Sequence, residues 1–122
     1  MSIDTKWLVE GQLLHVVFPA TLESAIMREY DVQMVERLDA ASNKIHFIAD
    51  LSGVRSLPGL NVLVGLRHPY HPRLGHGLTV GLTRNPVGRF LISMGTQLAG
   101  VHHRDFDTFN EARAYLVQME NI

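Results

Sequence analysis

"SNKIHFIADLSGVRSLPGL", residues 42–60, decides the fold. Its middle, Ile45 to Leu51, is too apolar for a strand exposed on both faces, so it belongs inside a sheet. Ser42-Asn43-Lys44 before it reads as a turn, and after it come two serines, an arginine, a proline and two glycines. Upstream, Ile26, Met27, Tyr30, Met34, Leu38 and Ala41 recur three or four apart, with Glu23, Arg28, Glu29, Glu36 and Arg37 on the other sides. That spacing predicts an amphipathic helix, with Thr21 as its N-cap. Earlier still, "TKWLVEGQLLHVVF", residues 5–18, reads as two strands joined at Glu10-Gly11. A hairpin, a helix and a buried strand make a β-β-α-β start.

Downstream, Leu60, Leu63 and Val64 give a short helical face, which must stop near Arg67 because Pro69 disfavours helical geometry at His68. The tract "HPYHPRLGHG", residues 68–77, reads as a loop, and "LTVGLT", residues 78–83, as the next strand. Asn85 and Pro86 then suit the N-cap and first position of a helix running to Gly100. Along it Val87, Phe90, Leu91, Met94 and Leu98 form one stripe, and Gly88, Ile92, Gly95 and Ala99 a smaller one that permits close approach to a neighbour. "VHHRDF", residues 101–106, is a final strand, and "TFNE", residues 108–111, a capping box opening a last helix with Ala112, Tyr115, Leu116 and Met119 inward. Strands that alternate with helices need crossovers, so those beginning at 45, 78 and 101 should be parallel, with right-handed connections. The expected fold is α/β, in the order β-β-α-β-α-β-α-β-α, with a mixed sheet of about five strands in one domain over residues 1–122.

Composition narrows the function classes. Apolar residues make up 46% of the 122 and charged residues 19%, which suits a folded globule. Eleven basic against twelve acidic residues leave a net charge of -1, with no surplus to displace counterions from nucleic acid. The lack of cysteine removes disulfides, thiolate zinc sites and cysteine nucleophiles. No apolar run reaches the ~18 residues of a membrane span. The chain reads as cytoplasmic, without a cofactor.

Three stretches, "WLVEGQLLHVVFPATLE" (7–23), "HFIADLSGV" (46–54) and "YHPRLGHGLTVGLTRNPVGRFLISMGTQLAGVHHRDFDTFNEARAYL" (70–116), together resemble the SpoIIAA-like family of STAS-type domains. The late block, in which a strand, "NP", a helix and "DTFNEA" follow in order, is its most specific part. The resemblance implies one sheet with helices mainly on one face and a non-catalytic regulatory or protein-interaction role. In the anti-sigma-factor antagonists of that group, a serine after a strand-to-helix turn is phosphorylated in an Asp-Ser-Ser-Gly-Leu motif. Here Ser56-Leu57-Pro58-Gly59-Leu60 stands there, making Ser56 the candidate phosphoacceptor. The Sec14 half of the family's STAS/Sec14 description suggests a lipid pocket, which gives the alternative of a small apolar-ligand or lipid carrier.

In a parallel sheet the carboxyl ends of the strands share one edge, which should bring Ser52, Arg55 and Ser56 near Thr83, Arg84 and Asn85. Helix N-termini and two arginines there would suit an anion or an acidic partner loop. Of the seven histidines, His68, His71 and His76 share a loop and His102 and His103 a strand, without the helical spacing of a zinc motif. No metal ligand or catalytic residue is assigned on that basis. The strand positions of His15 and His46 put them on the less covered sheet face. Leu13, Val17 and Ile48 there would form an apolar patch suited to a homodimer.

Overall fold

The computed structural model describes residues 3–81 and 86–121. Five strands, β1 (Asp4–Val9), β2 (Leu13–Val17), β3 (Ile45–Asp50), β4 (Leu74–Val80) and β5 (His103–Phe106), form one sheet in the order β1-β2-β3-β4-β5. The first pair is antiparallel and the rest are parallel, as the alternation requires. Gly11, at φ +72°, makes the hairpin turn that the Glu10-Gly11 pair predicts. The four helices are α1 (Ser24–Asp39), α2 (Leu60–Val64), α3 (Pro86–Ala99) and α4 (Phe109–Glu120). The fold is therefore α/β with a mixed sheet, an opening hairpin and parallel strands alternating with helices.

Two cores lie on opposite faces of the sheet. Met27, Tyr30, Met34 and Leu38 of α1 join Leu14, Val16, Ile45 and Ala49, with Leu63 of α2 and Ile92 of α3 on the same side. Across the sheet, Ala112 and Leu116 of α4 cover Leu13, Ile48, Leu78 and Val80. Because the strands advance in one direction across the sheet, right-handed crossovers keep α1, α2 and α3 on one face. Helix α4, which follows β5, packs on the other face.

Several boundaries differ from the sequence reading. The N-cap of α1 is Glu23, without a side-chain hydrogen bond, while Thr21 instead pairs with Ser56 in an isolated parallel bridge. Strand β4 begins at Leu74, inside the tract read as a loop. Its glycines are there because neighbouring rings occupy their Cβ space. A Cβ on Gly75 would lie 2.3 Å from the His46 ring, and one on Gly77 2.7 Å from the Phe47 ring. Gly81, at φ +92°, closes against the Ser52 backbone, where a Cβ would meet Cα at 2.5 Å. Met119 is exposed rather than inward, and Glu120 reaches back toward β4 instead. Leu13 and Ile48 are fully buried under α4, which covers two of the three residues of the patch expected to support a homodimer, while the third, Val17, is exposed.

Candidate functional site

Between the sheet and the first three helices lies a cavity of about 110 Å³. Phe47 and Ala49 of β3 and Thr79 of β4 form its floor, and Met27, Leu63 and Ile92 close it from the three helices. Along α3, Gly88 is buried and Ile92 half-buried against the core on the α1 side of the sheet, while Val87 and Phe90 are exposed. A helix seated through small side chains cannot fill the layer beneath it, which accounts for the space. Val64 and Tyr70 line the cavity and are also exposed, so they form its mouth.

Several polar side chains of this cavity have partners within the protein. Thr79 Oγ1 donates to Asp105 Oδ1 at 3.0 Å and lies 3.1 Å from His103 Nε2. Since the single hydroxyl proton goes to the carboxylate, His103 Nε2–H is the donor to Thr79. Burial lowers the His103 pKa, against the pull of Asp105, so its imidazole is neutral at pH 7. Thr96 gives its hydroxyl to the carbonyl of Ile92 at 2.9 Å. The rest of the wall is mainly apolar, apart from the Tyr30 and Tyr70 rings.

The rim is anchored by a buried carboxylate that the sequence reading missed. Asp31, on the inward side of α1, is 6% exposed, and its Oδ1 accepts from His68 Nδ1 at 2.6 Å and from the His68 amide at 2.9 Å. The Arg67 amide adds a bond at 2.9 Å. Burial pushes the Asp31 pKa up, but the hydrogen bonds from His68 and Arg67 outweigh it and leave the value below the ordinary one. Fixed this way, the His68 ring stands edge-on to Tyr30, with centroids 5.2 Å apart.

At the other candidate site, the turn after β3, the backbone is occupied. The Ser52 amide and hydroxyl both donate to Asp50 Oδ1, and the amides of Arg55 and Ser56 both donate to the Ala20 carbonyl, at 2.7 and 3.1 Å. Helix α2 begins only at Leu60 behind Gly59, so Ser56 is not its cap, and five residues make a negligible dipole. The amides of Ser52, Arg55 and Ser56 in the turn itself are thus already bonded. The exposed hydroxyl of Ser56 and the exposed Arg55 remain available to a partner. Thr83, Arg84 and Asn85, the other half of that site, lie outside the described residues.

The α4 face gathers residues that the sequence keeps far apart. His46 of β3, His76 of β4 and Glu120 at the end of α4 bring three potential metal-ligating atoms within 4.8 Å of one another. His76 Nε2 lies 2.6 Å from Glu120 Oε1, and His46 Nε2 3.8 Å from Oε2. Burial holds the His46 imidazole below its ordinary pKa despite the Glu120 charge. His15 shares this face, packed on Phe109 with ring centroids 4.7 Å apart. Compared with known proteins, the chain matches no family model and no curated protein.

Proposed function

We propose that this chain is a non-catalytic binding domain that takes a small apolar ligand into the cavity beneath α3. The observation that carries this reading is a cavity lined mainly by apolar side chains, in which Thr79, Thr96, His68 and His103 each have a partner inside the protein. An occupant gains by covering Phe47, Met27 and Leu63. About 110 Å³ suits one aromatic ring or a short aliphatic chain; an apolar cavity of about 150 Å³ binds benzene. This reading follows the carrier alternative within the resemblance to SpoIIAA-like domains.

The test is native mass spectrometry of protein from its own host, with thermal melts in alkylbenzenes and short-chain fatty acids. A retained adduct, or a midpoint raised by several degrees near saturation, is expected. Ala49→Val, which adds two carbons to the floor, should abolish either effect. A bare mass with no probe raising the midpoint overturns the reading.

A second reading, a cytoplasmic regulatory domain that meets a protein partner through Ser52, Arg55 and Ser56, is favoured by the exposure of all three. Phosphate mapped to Ser56, or partner capture lost in an Arg55→Ala, Arg84→Ala variant, would support it. A homodimer within this reading would rest on exposed Val87 and Phe90 of α3.

A further inference from the structure

We propose that His46, His76 and Glu120 form a binding site for a divalent first-row transition metal, zinc in the first instance, which fastens the end of α4 to strands β3 and β4. The site lies on the sheet face opposite the cavity and does not depend on the ligand proposed for it.

The donor set fits the ion. Two imidazoles and a carboxylate make a three-ligand zinc site with a fourth position left for water. All three donor groups come from elements whose positions the two cores fix, and Glu120 is half-exposed, which gives the ion a way in. The rings of His46 and His76 are stacked at 28° with centroids 5.3 Å apart. Zinc bonds of about 2.0–2.2 Å place tetrahedral ligand atoms roughly 3.3–3.6 Å apart. His46 Nε2 at 3.8 Å from the carboxylate is already near that separation. The 2.6 Å hydrogen bond between His76 and Glu120 must open by less than an ångström or so, with the ion taking the place of its proton. Gly75 supplies the room, since any side chain there would displace the His46 ring.

Binding also carries a specific structural signature. His46 Nδ1 now accepts the His76 amide hydrogen at 2.8 Å, so the neutral ring holds its proton on Nε2, facing Glu120. An ion on Nε2 moves that proton to Nδ1, where it opposes the amide hydrogen, and the bond from His76 must break. The ion exchanges one backbone hydrogen bond for three coordinate bonds. The loss falls where the pairing of β3 with β4 already shifts register, between Ile45 and Phe47, so the ladder on either side can stay intact.

The test uses the full untagged chain, stripped with chelator and titrated with zinc alone by calorimetry, with nitrogen-resolved NMR of the histidine rings and amides. One equivalent per chain is expected, together with a change of the His46 tautomer and a shifted His76 amide. Glu120→Gln, near the chain end and harmless to the core, should weaken binding by at least ~10-fold, as should His46→Ala. His71→Ala, whose ring instead meets Asp39, should leave it unchanged. Absence of binding with folded protein and excess zinc overturns the proposal. So does binding that Glu120→Gln and His46→Ala leave intact, or that leaves the His46 tautomer as it was.

Discussion

Asp31 is the residue on which the cavity rim depends. Its carboxylate takes hydrogen bonds from the His68 ring and from the amides of Arg67 and His68, more than thirty residues away in sequence. Because its pKa is depressed on folding, the stability it adds is fully present above the usual carboxylate range. That stability is lost as pH falls through the lower folded value, in a window below about pH 4. Asp31→Asn puts an amide NH₂ among donors, and should cost about 3 kcal/mol at neutral pH while flattening the acid limb of the stability curve. Urea unfolding of both proteins between pH 2 and 7 checks this, and parallel curves would remove Asp31 from the acid transition. Spacing alone placed Met27, Tyr30, Met34 and Leu38 inward, but it could not reveal an acid on the same stripe, because the donors that make its burial tolerable belong to a distant loop. The same distance hid the cluster of His46, His76 and Glu120, whose members are 30 and 44 residues apart along the chain.

Elements were legible in proportion to how local their signals are. Helix α4 announced itself through Thr108 and Glu111, and the cap is present: the Glu111 amide donates to Thr108 Oγ1 at 3.2 Å, while the Glu111 carboxylate accepts from the Thr108 hydroxyl at 3.0 Å instead of from the backbone amide of a full capping box. Thr108→Ala should therefore cost about 1 kcal/mol by chemical denaturation. Since α4 covers Leu13, Ile48 and Leu78, hydrogen exchange under that helix should rise with it. Where a signal had a tertiary competitor, the sequence misled. Thr21 has the chemistry of a cap, but its neighbours Ala20 and Leu22 bond to the segment around Ser56, and the helix starts beyond them. Gly75 and Gly77 read as loop breakers, whereas they are the strand positions that two rings from β3 require to be empty. On α3 the hydrophobic stripe was clear, but which stripe faces the sheet depends on how close the helix sits.

At the scale of the molecule, the order of the strands explains why there is a cavity. Three crossovers on one face must share the area above β3, β4 and β5, and the middle one, α2, is only five residues long. The layer there is completed by the loop through His68 and by the small side of α3, neither of which reaches Ala49 and Thr79 closely enough to fill the space. This arrangement makes the sign of one stability change decisive. In a close-packed core, extra methyl groups cost about 1–3 kcal/mol through strain. Into an apolar void they contribute about 0.8 kcal/mol per buried methylene, less whatever rotamer adjustment they force. Ala49 is 4% exposed, lies on a strand where a β-branched residue is comfortable, and faces the cavity. Ala49→Val should therefore raise the stability of the unliganded chain by about 0.5–1 kcal/mol, seen as a thermal midpoint several degrees higher. The same variant should lose the stabilisation that an apolar probe gives the parent, because the added carbons occupy the probe's place. A midpoint that falls instead means the layer is closed in solution, and the chain's binding surface would then have to be sought at its exposed groups.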